Sequence, residues 1–326
     1  MIEQPQNGRT VISVRQLRRL FRSRKATVEA VVGIDLEVYA GEIFGFLGPN
    51  GAGKTTTLRM LATLLPPTSG EAVVAGQDLR RQPGEVRKRI GYVSQRGGVD
   101  QEITGRRELV FEARLYGMSR GEAQRRAAEL LFALELESCA DRKVSTYSGG
   151  QRRRLDVAVG LVHRPEVLFL DEPTTGLDPQ SRARMWDEVR KLREDGTTVF
   201  LTTHYLEEAD ALCNRLAIID HGRIVAQGTP DELKREVSGD LVTVGVSGDL
   251  EQALRLLSAQ PYVREATVEG SELRLYVERG EIATPQILRL LDTAQLGLTT
   301  IALSRPSLDD VFLRSTGRSL RESEAA

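Results

Sequence analysis

The chain of 326 residues carries 45 basic and 46 acidic side chains, a formal net charge of −1, 40% hydrophobic residues and two cysteines. That length holds one large domain or two of ordinary size, the apolar content is enough for real cores, and the charge balance argues against a dominant polyanion-binding surface. Cys139 and Cys213 lie outside any metal-type spacing, no apolar run approaches the ~18 residues of a membrane span, and the opening Met1-Ile2-Glu3-Gln4-Pro5-Gln6 lacks signal-peptide order; this argues against a disulfide framework or a zinc site, and a cytoplasmic location is expected.

Residues 11–21 and 31–38 cluster or alternate apolar side chains as strands do, and residues 42–47 form a further strand. Residues 55–65 place apolar side chains at helical spacing until Pro66-Pro67 stops them. From about 97 to 165 the chain changes character, with charged helical stretches such as residues 120–135 and few β-branched residues, and reads as a helical insertion. The sheet resumes at Val167-Leu168-Phe169-Leu170, a continuous apolar run typical of strands buried on both faces. A helix over 180–194 closing near Gly196 and a strand over 198–202 complete a β-α-β alternation that implies a mostly parallel sheet. Residues 216–220 and 223–226 flank His221-Gly222 as a hairpin. A second unit then runs strand 241–246, helix 250–259, strand 263–269, strand 272–278, helix 285–293 and strand 299–303, the order of a split βαβ or ferredoxin-like unit. A short helix over 308–314 and a polar tail, disordered over 322–326, are expected to finish the chain.

The chemistry sits in three segments. Gly48-Pro49-Asn50-Gly51-Ala52-Gly53-Lys54-Thr55, with Thr56 following, lies between a strand and a helix, where backbone N–H groups and the helix end converge on phosphate. Lys54 is expected to bridge β- and γ-phosphates and Thr55 to ligate Mg²⁺. Asp171 and Glu172 close the buried strand 167–170, at the edge where open α/β sheets place ligand groups; Asp171 is expected to hold Mg²⁺ and Glu172 to polarise the attacking water. His204 follows the strand over 198–203 on the same edge and is a candidate γ-phosphate contact. Between these lies Ser148-Gly149-Gly150-Gln151, in which Ser148 reads as a helix N-cap and the glycines leave N–H groups open toward an anion.

Together these residues resemble the ATP-binding cassette of ABC transporters, over residues 11–234. The resemblance implies a P-loop NTPase cassette of α/β class, with a mostly parallel sheet core, an antiparallel β subdomain and a helical subdomain, over residues 1–236, followed by a small ferredoxin-like α+β domain over 237–326. It implies ATP and Mg²⁺ as cofactors and a head-to-tail homodimer, in which Ser148, Gly149, Gly150, Gln151 and Asp178 of one copy reach the nucleotide held by the other. It further implies that Gln95, in Gly91-Tyr92-Val93-Ser94-Gln95, reaches the metal and the attacking water, and that Phe21 stacks on adenine; a core role for Phe21 is the other reading. Tyr147 departs mildly from the family's usual Leu. The tail Ser307-Leu308-Asp309-Asp310-Val311-Phe312-Leu313, followed by Thr316-Gly317-Arg318, and Ile103-Thr104-Gly105-Arg106 after the Gln loop resemble the daunorubicin-resistance-type exporter ATPases of the ABC-2 class. The expected role is that of an energising subunit peripheral to the cell membrane, with a separate permease as partner, touched by residues 96–116, and no nucleic acid. A non-transport cassette acting on nucleic acid or ribosome, and an importer subunit, are the alternatives.

Overall fold

The computed structural model describes residues 8–22, 27–236, 239–304 and 306–317. The opening Met1 to Gln6, the motif residue Arg318 and the expected polar tail over 322–326 lie outside the described residues. The chain divides into two units between Gln227 and Gly228. The break expected after residue 236 thus comes earlier, because the helix over Pro230–Glu236 packs against the C-terminal helix of the second unit.

The first unit begins with β1 (Thr10–Arg22) and β2 (Thr27–Tyr39), a long antiparallel hairpin, and continues with β3 (Ile43–Leu47) and α1 (Lys54–Leu61). Helix α1 ends four residues before the expected stop: Thr63 takes a left-handed φ of 61°, and the N–H groups of Leu64 and Leu65 both turn back to the Arg59 carbonyl. There follow β4 (Ser69–Val74), β5 (Gln77–Asp78), α2 (Pro83–Arg87) and β6 (Ile90–Val93). Between β6 and β7 the described elements are helical: α3 (Gly105–Leu115), α4 (Arg120–Ala133), two 3₁₀ turns and α5 (Gly149–Leu161). Then come β7 (Val167–Asp171), α6 (Pro179–Glu194), β8 (Thr198–Thr203), α7 (Leu206–Leu212), β9 (Arg215–Asp220) and β10 (Arg223–Gly228).

Two sheets result, one of order β2-β1-β4-β5 with antiparallel pairing and one of order β10-β9-β3-β8-β7-β6, parallel from β9 to β6. Every residue of β3, β7 and β8 is buried, as expected for a parallel sheet covered on both faces. Phe200 of β8 anchors this core, with its ring 5.6 Å from Phe44, 5.8 Å from Phe46 and 5.6 Å from Phe169. Burying such a ring contributes about 1.5–3 kcal/mol, so the center of the sheet is rigid and its carboxyl edge is a fixed platform.

Two of the branch-like features turn out to be one contact. The Tyr147 hydroxyl donates to the Cys139 carbonyl at 2.7 Å, and a Cβ at position 105 would lie 2.4 Å from that hydroxyl. Tyr147 therefore requires a glycine at the start of α3. Cys139 and Cys213 are both buried and unpaired.

The second unit opens with α8 (Pro230–Glu236) and then runs β11 (Asp240–Ser247), α9 (Leu250–Ser258), β12 (Val263–Glu269), β13 (Glu272–Val277), α10 (Gly280–Thr293), β14 (Gly297–Ser304) and α11 (Leu308–Thr316). Its antiparallel sheet has the order β12-β13-β11-β14, the ferredoxin-like arrangement. Helix α10 starts five residues before the expected Pro285: the Asp240 carboxylate accepts the Gly280 N–H at 2.7 Å and fixes the first turn, so the proline falls inside the helix. In α11, Ser307 and Asp310 form a reciprocal capping box, while Leu308, Val311 and Phe312 are buried.

Candidate nucleotide site

The phosphate loop joins β3 to α1. Gly53, the residue before α1, has φ 107°, and a Cβ there would meet the Ala30 carbonyl oxygen at 2.5 Å, so only glycine fits. No side chain caps α1, which leaves its first-turn N–H groups directed at an anion. Lys54 is buried, and its ammonium donates to the carbonyls of Gly48 at 2.6 Å and Pro49 at 3.0 Å. An open cleft of about 190 Å³ is lined by Ala30, Pro49, Asn50, Gly51, Gly53, Lys54, Thr55, Thr56, Gln95 and Glu172. Gly48 and Ala52 are absent from that lining; Ala52 braces the loop from behind, its carbonyl accepting the Gly222 N–H at 2.9 Å.

Strand pairing brings the acidic residues to this cleft. Asp171, the last residue of β7, is paired with Thr202 of β8, whose hydroxyl donates to its carboxylate at 2.7 Å. The Thr55 hydroxyl donates to the same oxygen at 2.9 Å. A hydroxyl and a carboxylate thus converge from α1 and β7, a hard-oxygen donor pair of the kind Mg²⁺ takes. Glu172 adopts a left-handed φ of 46°, held by its N–H bonds to the carbonyl and hydroxyl of Thr202, both at 3.1 Å. That turn aims its carboxylate at the cleft.

Four side chains meet the Glu172 carboxylate. Gln95 Nε2 donates to it at 2.8 Å and the Thr175 hydroxyl at 3.1 Å; Lys54 Nζ lies 3.5 Å away. His204 Nδ1 lies 3.2 Å away, at ion-pair range but without hydrogen-bond alignment. Burial pushes the carboxyl pKa up, but the His204 imidazole, the Lys54 ammonium and the Thr175 hydroxyl outweigh it and hold the group at about 2. Gln95, expected to reach the metal and the attacking water, bonds to Glu172 in the cleft that Thr55 also lines.

The expected partner-facing residues stand apart from the cleft. Ser148 caps α5 and forms a capping box with Gln151, accepting its N–H at 3.2 Å and donating its own N–H to the Gln151 side chain at 3.0 Å. Asp178 caps α6 and accepts from the Ser181 N–H at 3.0 Å and hydroxyl at 2.6 Å. The two helix ends adjoin, since a Cβ at Gly150 would lie 2.9 Å from the Ser181 hydroxyl. None of Ser148, Gly149, Gly150, Gln151 or Asp178 lines the cleft. Phe21, near the tip of the β1-β2 hairpin, does not line it either; its ring is 40% exposed with the Arg19 guanidinium 4.7 Å above it, which argues against a core role.

Sequence reasoning missed Arg153 and Asp156 on the inner face of α5. The buried Arg153 guanidinium donates to the carbonyls of Ser94, Asp171 and Pro173, tying the segment before Gln95 to the end of β7. Asp156 accepts the Gly98 N–H at 2.9 Å from the other side of Gln95. Charged residues three apart on a helix face that also carries Val157 and Gly160 were the available signal, masked by the neighbouring arginines.

Comparison with known proteins agrees with this geometry. The family described as "ABC transporter" matches residues 31–175, and that described as "ATP-binding protein DrrA1-3-like, C-terminal domain" matches residues 228–316. A daunorubicin resistance ATP-binding protein of Streptomyces coeruleorubidus is 47% identical over 91% of this chain and 93% of its own length. The linearmycin resistance ATP-binding protein LnrL of Bacillus subtilis is 38% identical over 90% and 95%, and a Nod factor export ATP-binding protein of Rhizobium sp. is 40% identical over 90% and 93%. Among solved structures, a dimeric ATP-binding cassette in a post-hydrolysis state with ADP and Pi superposes with a TM-score of 0.62 at 26% identity, over 67% of this chain and 98% of that one.

Proposed function

The chain belongs to the ATP-binding subunits of ABC transporters, and from that premise we propose that it powers an exporter of drugs or natural products through a separate membrane permease. The observation that carries this reading is that relatives named for drug resistance and for Nod factor export match about nine-tenths of the chain, second unit included. Among the described residues no helix is long and apolar enough to cross a membrane, so a permease on another chain completes the machine. Helix α3 presents Phe111, Leu115 and the adjoining Tyr116 to solvent, and these, with the rest of residues 96–116, are the surface assigned to that permease.

ATP binds with its phosphates on the first turn of α1 and its base toward Phe21. Thr55 and Asp171 would hold Mg²⁺, which would neutralise phosphate charge, and Gln95 and Glu172 orient the attacking water. The γ-phosphate competes with Glu172 for Lys54 and His204. As those groups turn to the phosphate, the Glu172 carboxylate loses the interactions that hold its pKa near 2 and becomes a better base for the water proton. Ser148 and Asp178, which do not line their own cleft, act on the nucleotide of a second copy, so hydrolysis and release of the closed pair are one cycle.

The test is affinity purification of the tagged Glu172→Gln chain from gently solubilised source-cell membranes with MgATP present. A polytopic membrane protein recovered near equal stoichiometry is the expected result; ribosomal or nucleic-acid-bound partners without one would overturn the transport role.

A further inference from the structure

One buried acid near the cleft has no place in that cycle. Glu208 of α7 is fully buried, and burial raises its pKa above the ordinary range against the hydrogen bonds it accepts. Its Oε1 accepts from the Thr174 hydroxyl at 2.8 Å and from the Trp186 indole N–H at 3.2 Å, while its Oε2 has no hydrogen-bond partner. Thr174 and Trp186 bracket one element. Thr174 precedes residues 175–178, the loop that leads to Asp178, and Trp186 sits two turns into α6, which follows that loop. Glu208 lies four residues after His204, in the first turn of α7.

A second contact joins the same two elements. The Arg182 guanidinium of α6 stacks 4.5 Å above the ring of Tyr205, and that ring lies 4.1 Å from the imidazole of His204. The loop over 175–178 is thus fastened, at both of its ends, to the segment that carries His204. A buried carboxyl is costly to a fold, and this one ties α7 to both flanks of that loop.

We propose that Glu208 is a positioning residue that couples the loop over 175–178 to His204, so that displacement of the loop when a second copy docks is passed to the imidazole beside Glu172. The coupling works through the hydrogen bonds that the Thr174 hydroxyl and the Trp186 N–H both donate to one oxygen of Glu208. A glutamine keeps an oxygen that can accept both; leucine keeps the volume and removes the acceptor. The inference rests on the proposed roles of His204 and Asp178 at the nucleotide.

The experiment measures kcat and KM for MgATP, and equilibrium ATP affinity, on the full chain carrying Glu208→Gln, Glu208→Leu, Thr174→Val or His204→Ala. Glu208→Gln is expected to stay within about twofold of the parent, while Glu208→Leu and Thr174→Val lose about tenfold in kcat and keep ATP affinity within about twofold. Parent-like turnover in Glu208→Leu and Thr174→Val overturns the coupling, as does an equal loss in Glu208→Gln and Glu208→Leu, or a loss of ATP affinity in step with kcat. If Glu208→Leu fails to melt cooperatively, Thr174→Val, which removes a single hydroxyl, decides. His204→Ala with undiminished kcat would sink the reading of the site and the coupling with it; His204→Ala inactive beside parent-like Thr174→Val sinks the coupling alone.

Discussion

The two units each bury a carboxylate among polar partners, and they do so to opposite ends. In the second unit Asp310 accepts from the Ser307 N–H and hydroxyl, from the Tyr276 hydroxyl and from the Arg274 guanidinium. It caps its own helix and staples that helix to β13. In the first unit Glu172 sits on a left-handed backbone, draws Lys54, Gln95, Thr175 and His204 toward one point, and leaves His204 Nδ1 without an aligned hydrogen bond. A satisfied cluster is a fastening. A crowded, strained and incompletely satisfied one is poised to exchange partners, and the ligand it fits is the one that relieves it.

Substitution separates the two most sharply where the effects are largest. Glu172→Gln is expected to lower kcat by about 10²–10⁴-fold while ATP still binds, measured by steady-state hydrolysis beside equilibrium binding. Asp310→Ala should do the converse: thermal or denaturant melting loses about 1–3 kcal/mol, because the Tyr276 hydroxyl and the half-buried Arg274, which keeps Glu269, lose their shared acceptor, and ATP hydrolysis stays within about twofold. Ser148→Ala removes an N-cap on the order of 1 kcal/mol, visible in melting, and weakens ATP-driven association of two copies.

The pH dependence sharpens the comparison further. The folded pKa of Glu172 lies near 2, below its ordinary 4.5, so its ionisation stabilises the fold fully above about pH 4.5 and that contribution is lost as pH falls through about 2. Denaturant midpoints of the parent and of Glu172→Gln should accordingly differ by a constant amount above pH 4.5 and converge toward pH 2. A gap that opens as the pH falls would mean that the carboxyl is not held ionised.

Sequence alone made the site legible where chemistry demands particular residues at fixed spacing: the phosphate loop, Asp171-Glu172, and the capping pattern Ser148 to Gln151. The second unit was legible from its element order, since alternating apolar segments with turn residues leave few topologies. Helix ends were less so. The stop at Leu61 comes from a left-handed Thr63, and the start of α10 from a side chain 40 residues away, Asp240, neither of which periodicity encodes. Strands β4, β5 and β6, α2 and α7 were not assigned from sequence, being short or fixed by pairing with distant partners. Arg153, Asp156 and Glu208 escaped because a buried charge looks the same in sequence as a solvated one until its partners are known.

The central claim is that one copy holds the nucleotide and a second completes the site. Light scattering of purified Glu172→Gln chain, with and without MgATP, across protein concentration, tests it most directly. ATP-dependent conversion from monomer to dimer, abolished by Ser148→Arg with nucleotide binding intact, is the predicted result. A protein that remains monomeric while saturated with ATP, or one that dimerises equally well with Ser148→Arg, would contradict it.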